Sequence, residues 1–173
     1  MIFGGKRRKA REVAIAAIRP LIAANQVGGG LSTAMYFDPY ILGYLSSTIG
    51  WIIKLELNGK ASASHVGYAM QDAFSEVCNV NGGEAATQII ALTETRDPEF
   101  EQGVEHASVS VLFSYGLLRD ESTHPIVQDA ENVAKLTGGS LLGGDHRSAV
   151  GGAIVLNTFN RRVRELRGDI PNA

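Results

Sequence analysis

A chain of 173 residues with 45% hydrophobic and 20% charged side chains can build a sizeable core and is too apolar for disorder. Its single cysteine, Cys78, rules out an intramolecular disulfide and a cysteine-rich zinc site, and fits a reducing cytoplasm. The net charge of −2 excludes an overall nucleic-acid-binding balance, but it is unevenly spread: residues 1–20 carry six cations against one acid, residues 161–173 four against two, and the stretch between them −9.

Residues 1–5 (MIFGG) read as a flexible end. Lys6–Gln26 predicts a first helix with Val13, Ala17, Leu21 and Ala24 inward, which Pro20 should kink or end early. Lys6, Arg7, Arg8, Lys9 and Arg11 form a basic run suited to peripheral contact with an anionic membrane. Nucleic-acid phosphates are a weaker match, because no recognition helix accompanies the run. The plainest reading is a solvated helix start. The uncharged run Val13–Ile18 is shorter than a signal-peptide core of roughly 7–15 residues, so no leader is expected.

The organising stretch is residues 38–58. Asp38 is placed to cap a helix, Pro39 fits its first turn, and Asn58-Gly59 supply a left-handed stop. At about 100° per residue, Ile41, Leu45, Ile49, Ile52 and Ile53 share one flank and Tyr40, Tyr44, Thr48, Trp51 and Leu55 another. Between them runs a strip of Gly43, Ser46, Ser47, Gly50 and Lys54. A helix apolar nearly all round is a buried post, and small residues beside aromatics suit close approach of another helix. Tyr40, Gly43, Tyr44, Ser47, Gly50 and Trp51 are therefore candidate interface residues, for a helix of the same chain or for a second subunit. Residues 39–53 lack charge, yet a bilayer span needs about 20 apolar residues, so no transmembrane helix is predicted.

After Gly59, Ser62 or Ser64 opens a helix with Val66, Met70, Ala73 and Val77 inward, stopped by Asn81-Gly82-Gly83. His65, Asp72 and Glu76 fall on a face about 100° away, which should meet water. Glu84–Arg96 is a further helix. Asp97-Pro98 starts another, with Phe100, Val104, Ala107, Val111, Tyr115 and Leu118 on one stripe. His124-Pro125 opens a shorter helix ended by Gly138-Gly139. A last one starts near Asp145–Ser148 and runs to Arg167, with Gly152, Leu156, Phe159, Val163 and Leu166 aligned.

Catalytic and metal patterns fail on spacing. Bundle di-metal sites need two Glu-x-x-His pairs on facing helices, and the one match, Glu121 to His124, lies in a connection. Glu101 and Glu105 reach His106 of the same helix only poorly, so neither a metal nor another cofactor is expected. The glycine-rich stretch Thr137–Gly152 offers a weak anion site at Gly143, Gly144, His146, Arg147 and Ser148, although Gly144-Asp145 stands where a Walker loop needs Lys-Ser/Thr.

These features together predict an all-α, single-domain bundle of about six or seven helices around residues 38–58, with a second loose end at about 168–173. The function expected is that of a non-catalytic interaction or accessory protein, homo-oligomeric (a homodimer in the simplest form) or bound to another protein. Its competitors are a small-molecule binder or enzyme with an interhelical pocket using Tyr40, Tyr44, Trp51, His65 or His146, and an adaptor that binds anionic membrane or nucleic acid through the basic N-terminus.

Overall fold

The computed structural model describes residues 3–26, 29–136 and 145–171, and among these every regular element is a helix. It divides into two compact units, residues 1–105 and 106–173. The expected stops at Gly138-Gly139 and the loop glycines up to Gly144 lie outside the described residues.

The first unit contains α1 (Phe3–Gln26), a 3₁₀ turn (Thr33–Phe37), α2 (Pro39–Glu56), α3 (Ala63–Val77), α4 (Gly82–Thr95) and the start of α5 (Pro98–Ser114). Helix α1 begins at Phe3 and runs through Pro20 without ending, so the expected early stop does not occur. Its buried face is Ala10, Ala14, Ile15, Ile18, Ile22 and Asn25, centred about one residue on from the predicted stripe. Asn25 sits there because its amide donates to the Leu21 carbonyl at 2.9 Å, which satisfies the buried donor.

Helix α2 has the predicted ends. The Asp38 carboxylate accepts the Ile41 N–H at 3.1 Å, and Asn58 and Gly59 both adopt positive φ after the C-cap Leu57. Ten of its eighteen residues are buried, nine of them between Tyr40 and Ile49. The all-round burial stops there: Gly50, Trp51 and Ile52 are half-buried and Lys54 is exposed. The strip is occupied over its first half only. A Cβ on Gly43 would stand 2.3 Å from the Phe100 carbonyl oxygen, and one on Gly103 2.2 Å from that of Tyr40, so α2 and α5 meet backbone to backbone. Ser47 donates to the Val104 carbonyl at 3.1 Å across the same crossing.

Helix α3 buries Ala69, Ala73 and Phe74, leaving Val66, Met70 and Val77 half-covered. Asn81 does not end it. Its side chain instead caps α4 by accepting the Gly83 and Glu84 N–H groups, so Gly82 and Gly83 belong to the next helix.

The second unit holds the rest of α5, a 3₁₀ turn (Glu121–Thr123), α6 (Pro125–Leu136), α7 (His146–Val155), a π-turn (Leu156–Asn160) and α8 (Arg161–Arg167). Val109, Phe113, Val127, Ala130, Ala134, Ala149, Val150, Ala153 and Ile154 form its core. Helix α5 ends before two residues of its predicted stripe, and Tyr115 is 44% exposed. In the last helix the fully buried residues are Val150, Ile154, Phe159 and Val163, spaced four, five and four apart. A π-turn carries one extra residue, which rotates everything beyond it by about 100°. That rotation puts Leu156, predicted inward, at 45% exposure.

Candidate functional site

Three pairings fix how α1 and α3 lie. Arg7 stacks on Tyr68 with its guanidinium carbon 4.6 Å from the ring centre, Arg11 pairs with Asp72 and Glu76, and Arg19 reaches Glu76 at 3.0 Å. Residue numbers rise together along both helices, so they run parallel. The face of Asp72 and Glu76 that was expected to meet water meets the basic face of α1 instead. Each of these pairs is partly exposed and stabilises modestly.

Parallel α1 and α3, with α2 joined to α3 by the short Leu57–Ser62 connection, bring three ends together. The start of α1 supplies Lys6, Arg7, Arg8 and Lys9, all exposed; the end of α2 supplies Lys54 and the connection Lys60, also exposed. Six cations thus share one end of the first unit with the acids Glu12 and Glu56, and Glu12 lies 3.6 Å from Arg8. Four consecutive cations point to all sides of one helical turn within about 4.5 Å of axis length. No acidic residue sits in the first turn of α1, so the positive end of its dipole adds to this charge. Two aromatics join the cations: Tyr68 is 49% exposed beneath Arg7, and Lys54 lies 4.7 Å over the half-buried Trp51 ring. Periodicity picked out Lys6 to Arg11 but missed Lys54, Lys60 and Tyr68 as their neighbours, since only the parallel placement of α3 unites them.

The other candidate residues have different employment. Tyr40, Gly43, Tyr44 and Ser47 are packed within the first unit, so for these four the partner helix is α5 of the same chain. Gly50 faces open space, with nothing within 4 Å of an added Cβ. His65 is engaged in a capping box with Ser62, its Nδ1 2.9 Å from the hydroxyl. Cys78 is buried, and burial pushes its thiol up to about 12, the behaviour of an inert small hydrophobe. Tyr36 is likewise pushed up to about 12, by burial and then by Cys78.

In the second unit an open cleft of about 370 Å³ is lined by Ser114, Asp145, Arg147, Ser148, Gly151, Gly152 and Val155. Gly143 and Gly144 lie outside the described residues, and His146 is an exposed first residue of α7. The helix start is already capped: the Asp145 carboxylate accepts the Ser148 N–H at 2.9 Å, and that bond holds its pKa below the ordinary value. A carboxylate therefore sits where an anion would have to bind. Arg147 is tied as well, donating to the Phe113 carbonyl, pairing with Glu121 at 3.0 Å and lying 4.8 Å over the Phe113 ring. It fastens the end of α5 to the 3₁₀ turn through Glu121, while the buried Nδ1 of His124 has no hydrogen-bond partner among the described residues. Arg147→Ala is expected to lower stability by about 1–2 kcal/mol in urea denaturation, more than a surface link would show, with partial exposure keeping it below the full worth of a charged hydrogen bond. Phosphate should leave the melting temperature of both proteins unchanged.

Among the described residues no three His, Cys, Asp or Glu side chains gather as a metal site, and no helix is long and apolar enough to cross a membrane. No protein-family model, curated protein or solved structure matches the chain.

Proposed function

We propose that this protein is a non-catalytic helical interaction protein that engages an anionic partner through the basic end of its first unit. The observation that carries the reading is the gathering of Lys6, Arg7, Arg8, Lys9, Lys54 and Lys60 at one end of the first unit, in a chain whose net charge is −2. Like charges crowded at the positive end of a helix dipole cost stability, and an anionic partner removes that cost. Beyond about 8–10 Å the acidic remainder of the molecule is screened at physiological salt, so the end acts as a local positive surface.

A protein with a pI near 6.1 should pass through a cation exchanger at pH 7.5 unless its positive charge is focused. We expect retention on a sulfonated resin at low salt, and flow-through for the Lys6→Glu, Lys9→Glu double variant. Both side chains are exposed, so the variant should keep its helical circular dichroism. Flow-through of the parent, or equal retention of the variant, would remove the reading.

A further inference from the structure

Resting on that reading, we infer that the anionic partner is the surface of a lipid bilayer, met end-on by the starts of α1 and α3 and the end of α2. The shape of the charge distribution is what selects this partner. A protein tracking a phosphate backbone carries its cations as a stripe along a helix or groove, so that successive phosphates meet successive side chains. Here the four cations of α1 ring one turn, in a slab about 4.5 Å thick across the helix axis. A flat surface normal to that axis lies at nearly one depth from all four, within a Debye length across the first residues of α1, whereas a duplex or a single strand faces one or two of them.

The residues near the ring suit the same kind of surface. Lys60 sits in the adjoining connection among Asn58, Gly59, Ser62 and Ser64, which are exposed, small and uncharged and let a surface come close. Tyr68 and Trp51 are the aromatic types that settle at the headgroup level, with a polar edge outward and an apolar body inward. Each has one ring face covered by a cation, Arg7 over Tyr68 and Lys54 over Trp51, which takes that face from any stacked base while leaving the cation beside the headgroups. Farther along α1, Arg11 and Arg19 are drawn to Asp72 and Glu76, so the available positive charge ends about two turns from the start of the helix. The contact is peripheral and electrostatic, and it should be reversed by salt.

Trp51 is the only tryptophan of the chain, so its fluorescence reports on this end alone. The test is co-sedimentation of the full chain with phosphatidylcholine vesicles, with and without 30% phosphatidylglycerol, at low and high salt, alongside a fluorescence titration. We expect binding to the anionic vesicles only, a blue shift of Trp51 emission, and release at high salt. Each cation near such a surface is worth about fivefold in affinity, so Lys6→Glu, Lys9→Glu should weaken binding on the order of a hundredfold or more. Lys60→Glu, outside α1, should weaken it by about twentyfold while circular dichroism stays unchanged. Equal binding to both vesicle types, absence of binding, or tighter salt-matched binding to a 30-base-pair DNA duplex would overturn the inference. Retention on the cation exchanger without vesicle binding would overturn the bilayer alone; failure in both would overturn the basic end as a binding surface.

Discussion

Gly43→Ala should be among the most damaging single-methyl changes this chain can carry, at about 3 kcal/mol or more. The added carbon would stand 2.3 Å from the Phe100 carbonyl oxygen and 3.2 Å from the Val104 nitrogen, and neither backbone atom can swing aside as a side-chain tip would. Gly103→Ala meets the Tyr40 carbonyl at 2.2 Å from the other side and should cost as much. Since a typical domain holds only about 5–15 kcal/mol in total, either variant should show a markedly lower urea midpoint. Gly50→Leu is the internal control, sitting two turns farther along the same strip with nothing within 4 Å of its Cβ position. There, relief of glycine's helix penalty should raise stability by roughly 0.5–1 kcal/mol. Equal midpoints for the Gly43 and Gly50 variants would mean that the close crossing of α2 and α5 is absent.

Ile49→Ala should cost about 2–5 kcal/mol, because the side chain is fully buried and its removal leaves a cavity. Ile52→Ala, on the same flank three residues later, should cost less than half as much, since that side chain is only half-buried. Urea denaturation of the pair locates the point where α2 stops being covered on all sides, with Ile53 still buried on one face. Similar losses at both positions would show that the all-round burial continues past Ile49.

The parts of this fold legible from sequence are those governed by local chemistry. Asp38, Asp97 and Asp145 each cap the helix they were expected to open, because a carboxylate two or three residues ahead of free N–H groups needs no tertiary information. What could not be read is what a helix face rests against. The strip on α2 is one continuous feature in sequence, yet α5 covers Gly43 and Ser47 and leaves Gly50 open, a difference set by where the two helices meet through residues 57 apart in the chain. The face of α3 was misjudged for a related reason: its buried residues are Ala69, Ala73 and Phe74, and of the predicted stripe Val66, Met70, Ala73 and Val77 only Ala73 is among them. Asn81-Gly82-Gly83 reads equally well as a stop or a start, and only its side-chain bonds to Gly83 and Glu84 decide. The basic run was visible at once. Its companions Lys54, Lys60 and Tyr68 were not, because a sequence does not announce that two helices run side by side in the same direction.

The π-turn at Leu156–Asn160 accommodates an extra residue without loss of helix. Five residues there cover the length of rod that four would ordinarily span, so the chain holds one residue in reserve at that point. Giving it back would keep the rod whole but turn its far half by about 100°, swinging Phe159 and Val163 out of the core and the neighbouring arginines toward it. The surplus residue therefore works as a splice between two helical phases, and Arg161 and Arg164 stay on the outside only while the splice is kept.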